Sequence, residues 1–326
     1  MVKKKRLSGD IFVNFFNTYK ALVIMIILAA IVSMLTDKFF TTSNVLNILR
    51  QVSIYAILAT GYTMIISAGC IDLSVEYILA IVGLIIAKLI KQAGWPIVPS
   101  FMVGIAVAVI CEYINSSIFL KFKLPPFIVT LGLSQCYRGI AQIICNGTPI
   151  AKLPPVCVYI GQGYLFGIPF PIYIMIVVSL IGNFILKKTI IGRRILAVGG
   201  NSEAAFVSGI NVNRAKKSAY IILGIATGIA AIVMNGRVAS AQPSAGAGMS
   251  MDCIAAVVIG GTRMGGGYGN VLGTLFGCLL VGVINNSLNL LNVNAWWQWV
   301  AKGLLIVIAV VLDSITEELR KKNQLK

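Results

Sequence analysis

The sequence contains no histidine. That removes every catalytic centre that relies on imidazole as a base and every His-ligated metal site. Charge is also scarce: only 11% of the residues are Asp, Glu, Lys or Arg, and acidic residues number 10 against 27 basic ones. The phosphate-cradling pattern G-x-x-x-x-G-K-[ST] does not occur. Its nearest approach, Gly260 to Gly267, lacks the lysine. The seven cysteines form no C-x-x-C pair and sit mostly inside apolar runs, where a thiol behaves as a small hydrophobe. No hydrophilic stretch is long enough to build a separate soluble domain.

What fills the chain instead is apolar. Of the 326 residues, 58% are hydrophobic, and the mean hydropathy is +0.91. Soluble domains run at about 45–50% apolar and about 25% charged. A protein of this composition must turn apolar surface outward, and lipid is the solvent that tolerates it. The net charge of +17 is therefore read as a topology signal, not as a nucleic-acid footprint.

A spanning helix needs about 20 mostly apolar residues. Such segments are predicted at Tyr19–Leu35 and near 52–69, 76–91, 97–119, 127–145, 168–186, 218–236, 252–262, 270–292 and 299–315. The first follows Lys3, Lys4, Lys5 and Arg6 and reads as an uncleaved first helix, since it leads straight into further spans. The segments 76–91 and 252–262 are short and glycine-flanked, as half-helices or re-entrant segments are. The expectation is an all-α integral membrane protein, a single domain over 1–326 with about ten transmembrane helices and both termini cytoplasmic. Charge supports this threading: 18 of the 27 basic residues fall on the inner side, seven of them between 187 and 217, and five on the outer side. Trp296, Trp297 and Trp299 before the last segment read as an interfacial anchor.

The inner stretch 187–217 holds a helix signature. Asn201 or Ser202 can cap a start, Glu203 suits its positive end, Ala204 and Ala205 favour helix, and Gly209 can stop it. The product is a short surface helix between two spans, of the kind that seats in a groove of a peripheral protein. Four acidic residues, Asp72, Glu76, Glu112 and Asp252, lie near or inside spans, where burial is costly. Asp72 can cap a helix beside Ser74. Glu112 lies mid-span near Asn115, Ser116 and Ser117 and can face a path. Amides such as Asn115, Gln135, Gln142, Asn285, Asn286 and Asn289 either line a polar path or bond between helices. Gly224-x-x-x-Gly228 and Gly273-x-x-x-Gly277 read as packing faces.

Several of these stretches resemble one family. Glu203-Ala204-Ala205-x-x-x-Gly209 is similar to the EAA loop of the membrane subunits of ATP-binding cassette (ABC) importers. Cys70-Ile71-Asp72-Leu73-Ser74-Val75, Phe127 to Gly132 with Tyr137-Arg138-Gly139, and Gly192-Arg193-Arg194 through Gly199-Gly200-Asn201 look like the ribose, xylose and galactose branch. So do Ser240-Ala241-Gln242-Pro243 and Ala255 to Thr262. They run in the family's order over about 40–312. The chain departs from the pattern at Cys70 and Glu76, where the family carries Gly, and at Arg263. The resemblance implies an ABC sugar-importer permease of the bacterial cytoplasmic membrane. Its implied docking loop comprises Gly199, Gly200, Asn201, Glu203, Ala204, Ala205 and Gly209, which would engage a separate ATPase. Asp72, Ser74, Glu112, Asn115, Gln135 and Asn285 are the candidate path residues. It further implies a second permease copy, identical or paralogous, and an extracytoplasmic sugar-binding protein. The chain would bind no cofactor, metal or nucleic acid and catalyse nothing; ATP and Mg would belong to the partner. The rival reading is an ion-gradient-driven carrier of a small polar solute, working through Glu112 or Asp72.

Overall fold

The computed structural model describes residues 22–294 and 296–301, with 303, 304, 307 and 311 beyond them. The chain is mostly helical. In order come α1 (Leu22–Leu35), α2 (Thr42–Ser67), α3 (Val75–Lys91), α4 (Ile97–Phe122) and α5 (Pro126–Cys145). There follow α6 (Pro155–Gln162), α7 (Phe170–Lys188), α8 (Ile190–Gly200), α9 (Ser202–Val207), α10 (Val212–Val238), α11 (Met249–Ile259) and α12 (Val271–Leu290). Among the described residues, six helices are long and apolar enough to cross a membrane: α2, α4, α5, α7, α10 and α12. The expected count of ten also used 19–35 and 299–315, parts of which lie outside the described residues, as do the basic clusters at both ends. Residues 296–301 are helical, and Trp296, Trp297 and Trp299 are exposed.

The helices sort by how much of their surface the protein keeps. In α2, 78% of the apolar window is buried, and in α10 and α12 72% and 67%, against 22% in α4 and α5 and 28% in α7. The first three, with α3 and α11, make the interior, while α4, α5 and α7 turn large faces outward. Those of α4 and α7 are apolar: Val98, Met102 and Ile110 on one, Ile176, Leu180 and Phe184 on the other. Small residues set the spacing inside. A Cβ on Gly224 would stand 2.9 Å from the Val109 Cα, and one on Gly228 2.8 Å from the Ile105 Cα, so α10 lies close against α4. Gly273 and Gly277 in turn bring α12 onto the carbonyls of Gly260 and Ala256. Both glycine pairs are packing faces.

The two short segments are where the chain is not simply threaded. The helix α11 has 11 residues, roughly 16 Å at 1.5 Å per residue, half of a hydrocarbon core about 30 Å thick. The non-helical segment 68–74 runs inward from the face that carries α8 and α9. Segment 239–248 runs inward from the other. They meet where Gly248 N–H donates to Glu76 Oε2 at 2.8 Å. Non-helical backbone is tolerated at such depth only when protein surrounds it or it lines a water-filled cavity.

The stretch 146–167 holds α6 and strands of two two-residue ladders. β1 (Ile150–Ala151) pairs antiparallel with β4 (Ser240–Ala241), and β2 (Tyr164–Leu165) with β3 (Ile168–Pro169). Pro155 opens α6 at a first-turn position, where its missing N–H costs nothing.

Gly228→Leu should destabilise the purified protein by about 1–3 kcal/mol, seen as a lower melting temperature in detergent. Gly132→Ala, with open space around the glycine, should leave it unchanged. Equal melting temperatures would refute the close α10–α4 contact.

Candidate functional site

Three groups of residues carry the polar chemistry. The first is the α8–α9 turn. Thr189 caps α8 by accepting Gly192 N–H, and Asn201 Oδ1 accepts Ala204 N–H at 2.9 Å to start α9. Of the two caps read from sequence, Asn201 is the one used. Gly209 has φ +81° and lets Ile210 N–H return to the Ala205 carbonyl at 2.9 Å. That left-handed conformation favours glycine. Val198, Ala205 and Ala215 form a small core beneath, with Ile210 and Val212 against it. Above it Phe206 and Val207 stand 72% and 86% exposed, beside a groove lined by Phe206, Gly209, Ile210, Asn211, Val212 and Asn213. Glu203, Ala204 and Gly200 are exposed.

This turn presses on the interior backbone to backbone. Gly199 has no room for a Cβ, because the Ser67 carbonyl at the end of α2 and the Gly267 N–H occupy its side. Gly267 N–H donates to that Ser67 carbonyl at 3.0 Å, and Gly266 faces Gly199 and Gly69. The α8 terminus therefore bears directly on segments 68–74 and 263–269, with no flexible side chain between them.

The second group is a sealed network under segment 68–74. Asp72 Oδ1 accepts Ser74 N–H at 2.6 Å and Ser74 Oγ–H at 2.7 Å. The Asn115 amide shares its two N–H bonds among Ser74 Oγ (2.8 Å), Glu112 Oε2 (3.1 Å) and Asp72 Oδ2 (3.3 Å). Tyr137 O–H donates to Asn115 Oδ1 at 2.9 Å. The backbone is held likewise: Tyr62 O–H donates to the Asp72 carbonyl at 3.0 Å, and Leu73 N–H donates to Thr130 Oγ1 at 3.2 Å. Asp72, Ser74, Glu112 and Asn115 are fully buried. Among the described residues, Glu112 Oε1 meets no hydrogen-bond partner. Asn285 is also buried, and its Oδ1 is without a partner. Four of the six candidate path residues thus come together, Asn285 stands apart, and all five are closed off from the surface in this conformation.

The third group is on α5. Gln135, Arg138 and Gln142 are exposed and fall at i, i+3 and i+7 on one face, flanked by Gly132, Cys136 and Gly139. Arg138 lies roughly 18 Å along the helix from Pro126. An arginine at such depth costs about 2.5–3.5 kcal/mol on insertion scales, so water or protein must face it. The Arg138 guanidinium stands 5.9 Å from the centroid of the Tyr77 ring. Of this stripe Gln135 and Gln142 are among the amides that the sequence marks for a polar path, and Arg138 is not. The i, i+3, i+7 spacing of Gln135, Arg138 and Gln142 is the signal that marks Arg138.

Comparison with known proteins fits this geometry. The family profile described as branched-chain amino acid transport system / permease component matches residues 44–310. The ribose import permease protein RbsC of Haemophilus influenzae is 41% identical over 305 residues, covering 92% of this chain and 94% of its own length. RbsC of Bacillus subtilis is 39% identical, covering 95% and 96%. The D-allose transport system permease protein AlsC of Escherichia coli is 35% identical, covering 93% and 94%. No solved structure gives a match of comparable significance.

Asn115→Leu removes the donors that Asp72, Ser74 and Glu112 share and should cost about 1–3 kcal/mol for each acceptor stranded. Tyr137→Phe should cost about 1 kcal/mol. Unfolding of the detergent-solubilised protein in denaturant measures both. A variant Asn115→Leu as stable as the parent would show that the network contributes nothing.

Proposed function

The chain belongs to the family described as the branched-chain amino acid transport system / permease component, and from that premise we propose that it is the membrane subunit of an ABC importer for a monosaccharide of the ribose type. The observation that carries this reading is the identity of 38–41% to ribose import permeases over nearly the whole of both chains. The family's description speaks of amino acids, but the relatives named RbsC and AlsC match this chain end to end and carry sugars in their names. The chain is a transport component and not an enzyme.

In this reading the face carrying α8 and α9 is cytoplasmic. Gly199, Gly200, Asn201, Glu203, Ala204, Ala205 and Gly209 build the element that seats in a separate ATPase, with Phe206 and Val207 entering its groove. The partner binds ATP and Mg. Two copies of the permease form one path, and an extracytoplasmic binding protein delivers the sugar to the opposite face. The groove lined by Lys88, Lys91, Asn146 and Thr148 is on that face. The single domain completes about ten crossings, with both termini cytoplasmic.

The mechanism follows from the contacts. A ligand shifts an equilibrium only by its differential affinity for the two states. The ATPase changes shape with ATP and moves α9. Through Gly199 that displacement reaches segments 68–74 and 263–269. The Asp72–Asn115 network then moves as a unit with the start of α3, and the wall of the path opens to one side or the other. The path itself runs along the polar face of α5.

Phe206→Asp and Val207→Asp change exposed side chains, so the fold should survive while the ATPase retained on co-purification falls at least tenfold. Sugar uptake should fall in parallel and should stop on ATP depletion. A parent chain that retains no ATPase, with uptake abolished by a proton ionophore instead, would identify an ion-driven carrier.

A further inference from the structure

Glu76 and Arg138 are charged groups inside the membrane-spanning region, and the sealed network uses neither. Glu76 spends one oxygen on the start of α11, accepting Gly248 N–H at 2.8 Å. Gly246 packs against the Glu76 backbone, where no Cβ would fit. Its second oxygen takes no hydrogen bond among the described residues, and the residue is only partly buried. Arg138 comes to the neighbourhood of this carboxylate across the α3–α5 contact, where its guanidinium stands 5.9 Å from the ring centroid of Tyr77, the residue after Glu76 on α3. No hydrogen bond joins the two, and the guanidinium lies over the Tyr77 ring with its donors open. Gln135 and Gln142 flank Arg138 on the same exposed stripe.

We propose that Glu76, Arg138, Gln135 and Gln142 form a solute-recognising subsite on the wall of the path, and that it takes a neutral polyhydroxylated molecule. The proposal rests on the transport reading above and names residues that act in it. A carboxylate that accepts and a guanidinium that donates, held apart, are bridged by neighbouring hydroxyls of one sugar. The amides above and below supply both donors and acceptors. The positive ends of the two short helices are already met by carboxylates of the chain, Asp72 at α3 and Glu76 at α11. An anionic solute would find no free positive end there.

Glu76→Gln keeps an oxygen for Gly248 N–H and removes only the charge. Arg138→Gln removes the fork of donors, and Arg138→Lys keeps the charge without the fork. Initial uptake of radiolabelled ribose is measured in vesicles holding the permease with its ATPase and binding protein. The result expected is at least tenfold slower uptake in Glu76→Gln and Arg138→Gln, with only partial recovery in Arg138→Lys, while ATPase retention and melting temperature match the parent. The native thiol Cys136, exposed beside the stripe, gives a second reading that needs no variant at the subsite. A water-soluble thiosulfonate should modify it in the assembled importer but not in Cys136→Ser, and ribose delivered by the binding protein should slow modification at least threefold.

Uptake at the parent rate in both charge variants overturns the subsite. So does a Cys136 that only membrane-soluble reagents reach. A parent importer that moves no ribose defeats the sugar-transport reading instead. In that case Cys136 protection by a polyol in the assembled complex still upholds the subsite, and protection by leucine alone refutes it.

Discussion

Asn115 holds together a segment that the bilayer would otherwise forbid. Between Ala68 and Ser74 the chain leaves the helix while still inside the protein, and its polar groups have no water to turn to. One amide on α4 bonds three side chains around that turn, and hydroxyls from α2 and α5 take up the backbone groups beside it. The depth at which α3 starts depends on this arrangement. So does the place where Glu76 meets the start of α11, and hence the second re-entrant segment. The bundle is built around two interruptions that complete one another.

These interruptions also connect the two ends of the machine. The α8–α9 turn is a surface feature with its own small core, yet its Gly199 abuts the carbonyl of Ser67 and the Gly265–Gly267 turn. Contacts between backbones transmit displacement with little loss, because no rotamer can absorb it. The same two segments lead directly into Asp72 and into α12. A push at α9 therefore arrives where the chain is not helical, and such places are hinge material.

Much of this was legible in the sequence, and the limits have physical causes. Long apolar runs gave the six spanning helices to within a few residues, except that α2 and α10 start ten and six residues before their apolar runs, at Thr42 and Val212, because their first turns are polar and capped by Thr41 and Asn211. The weakness of 76–91 and 252–262 marked the two short helices, since a half-span cannot supply 20 apolar residues. Cap residues placed α9, though they left Asn201 and Ser202 tied until geometry favoured Asn201. Asp72, Glu112 and Asn115 were recognisable as costly polar groups, but the 43-residue separation of Asp72 and Asn115 concealed that the Asn115 amide bonds both carboxylates. Whether a polar group seals a fold or lines a path is decided by which way its helix is rotated. Composition carries no information on that.

The rotation of α5 shows which of its polar groups seal the fold. Its buried side gives Thr130 and Tyr137 to the sealed network, so its opposite side must look away from the bundle. On α4 and α7 that outward side is aliphatic and aromatic, as acyl chains require. On α5 it carries Gln135, Arg138 and Gln142 between exposed Ile128 and Leu131 at one end and Ile143 at the other. One helix thus presents polar groups on both sides for different reasons. Inward they satisfy a turn that would otherwise be unpaired, and outward, along the proposed path, they would replace the hydration of a passing solute. A solute with many hydroxyls loses many hydrogen bonds to water on entering a membrane. A wall that returns acceptors and donors at matched spacing lowers that barrier without holding the solute tightly.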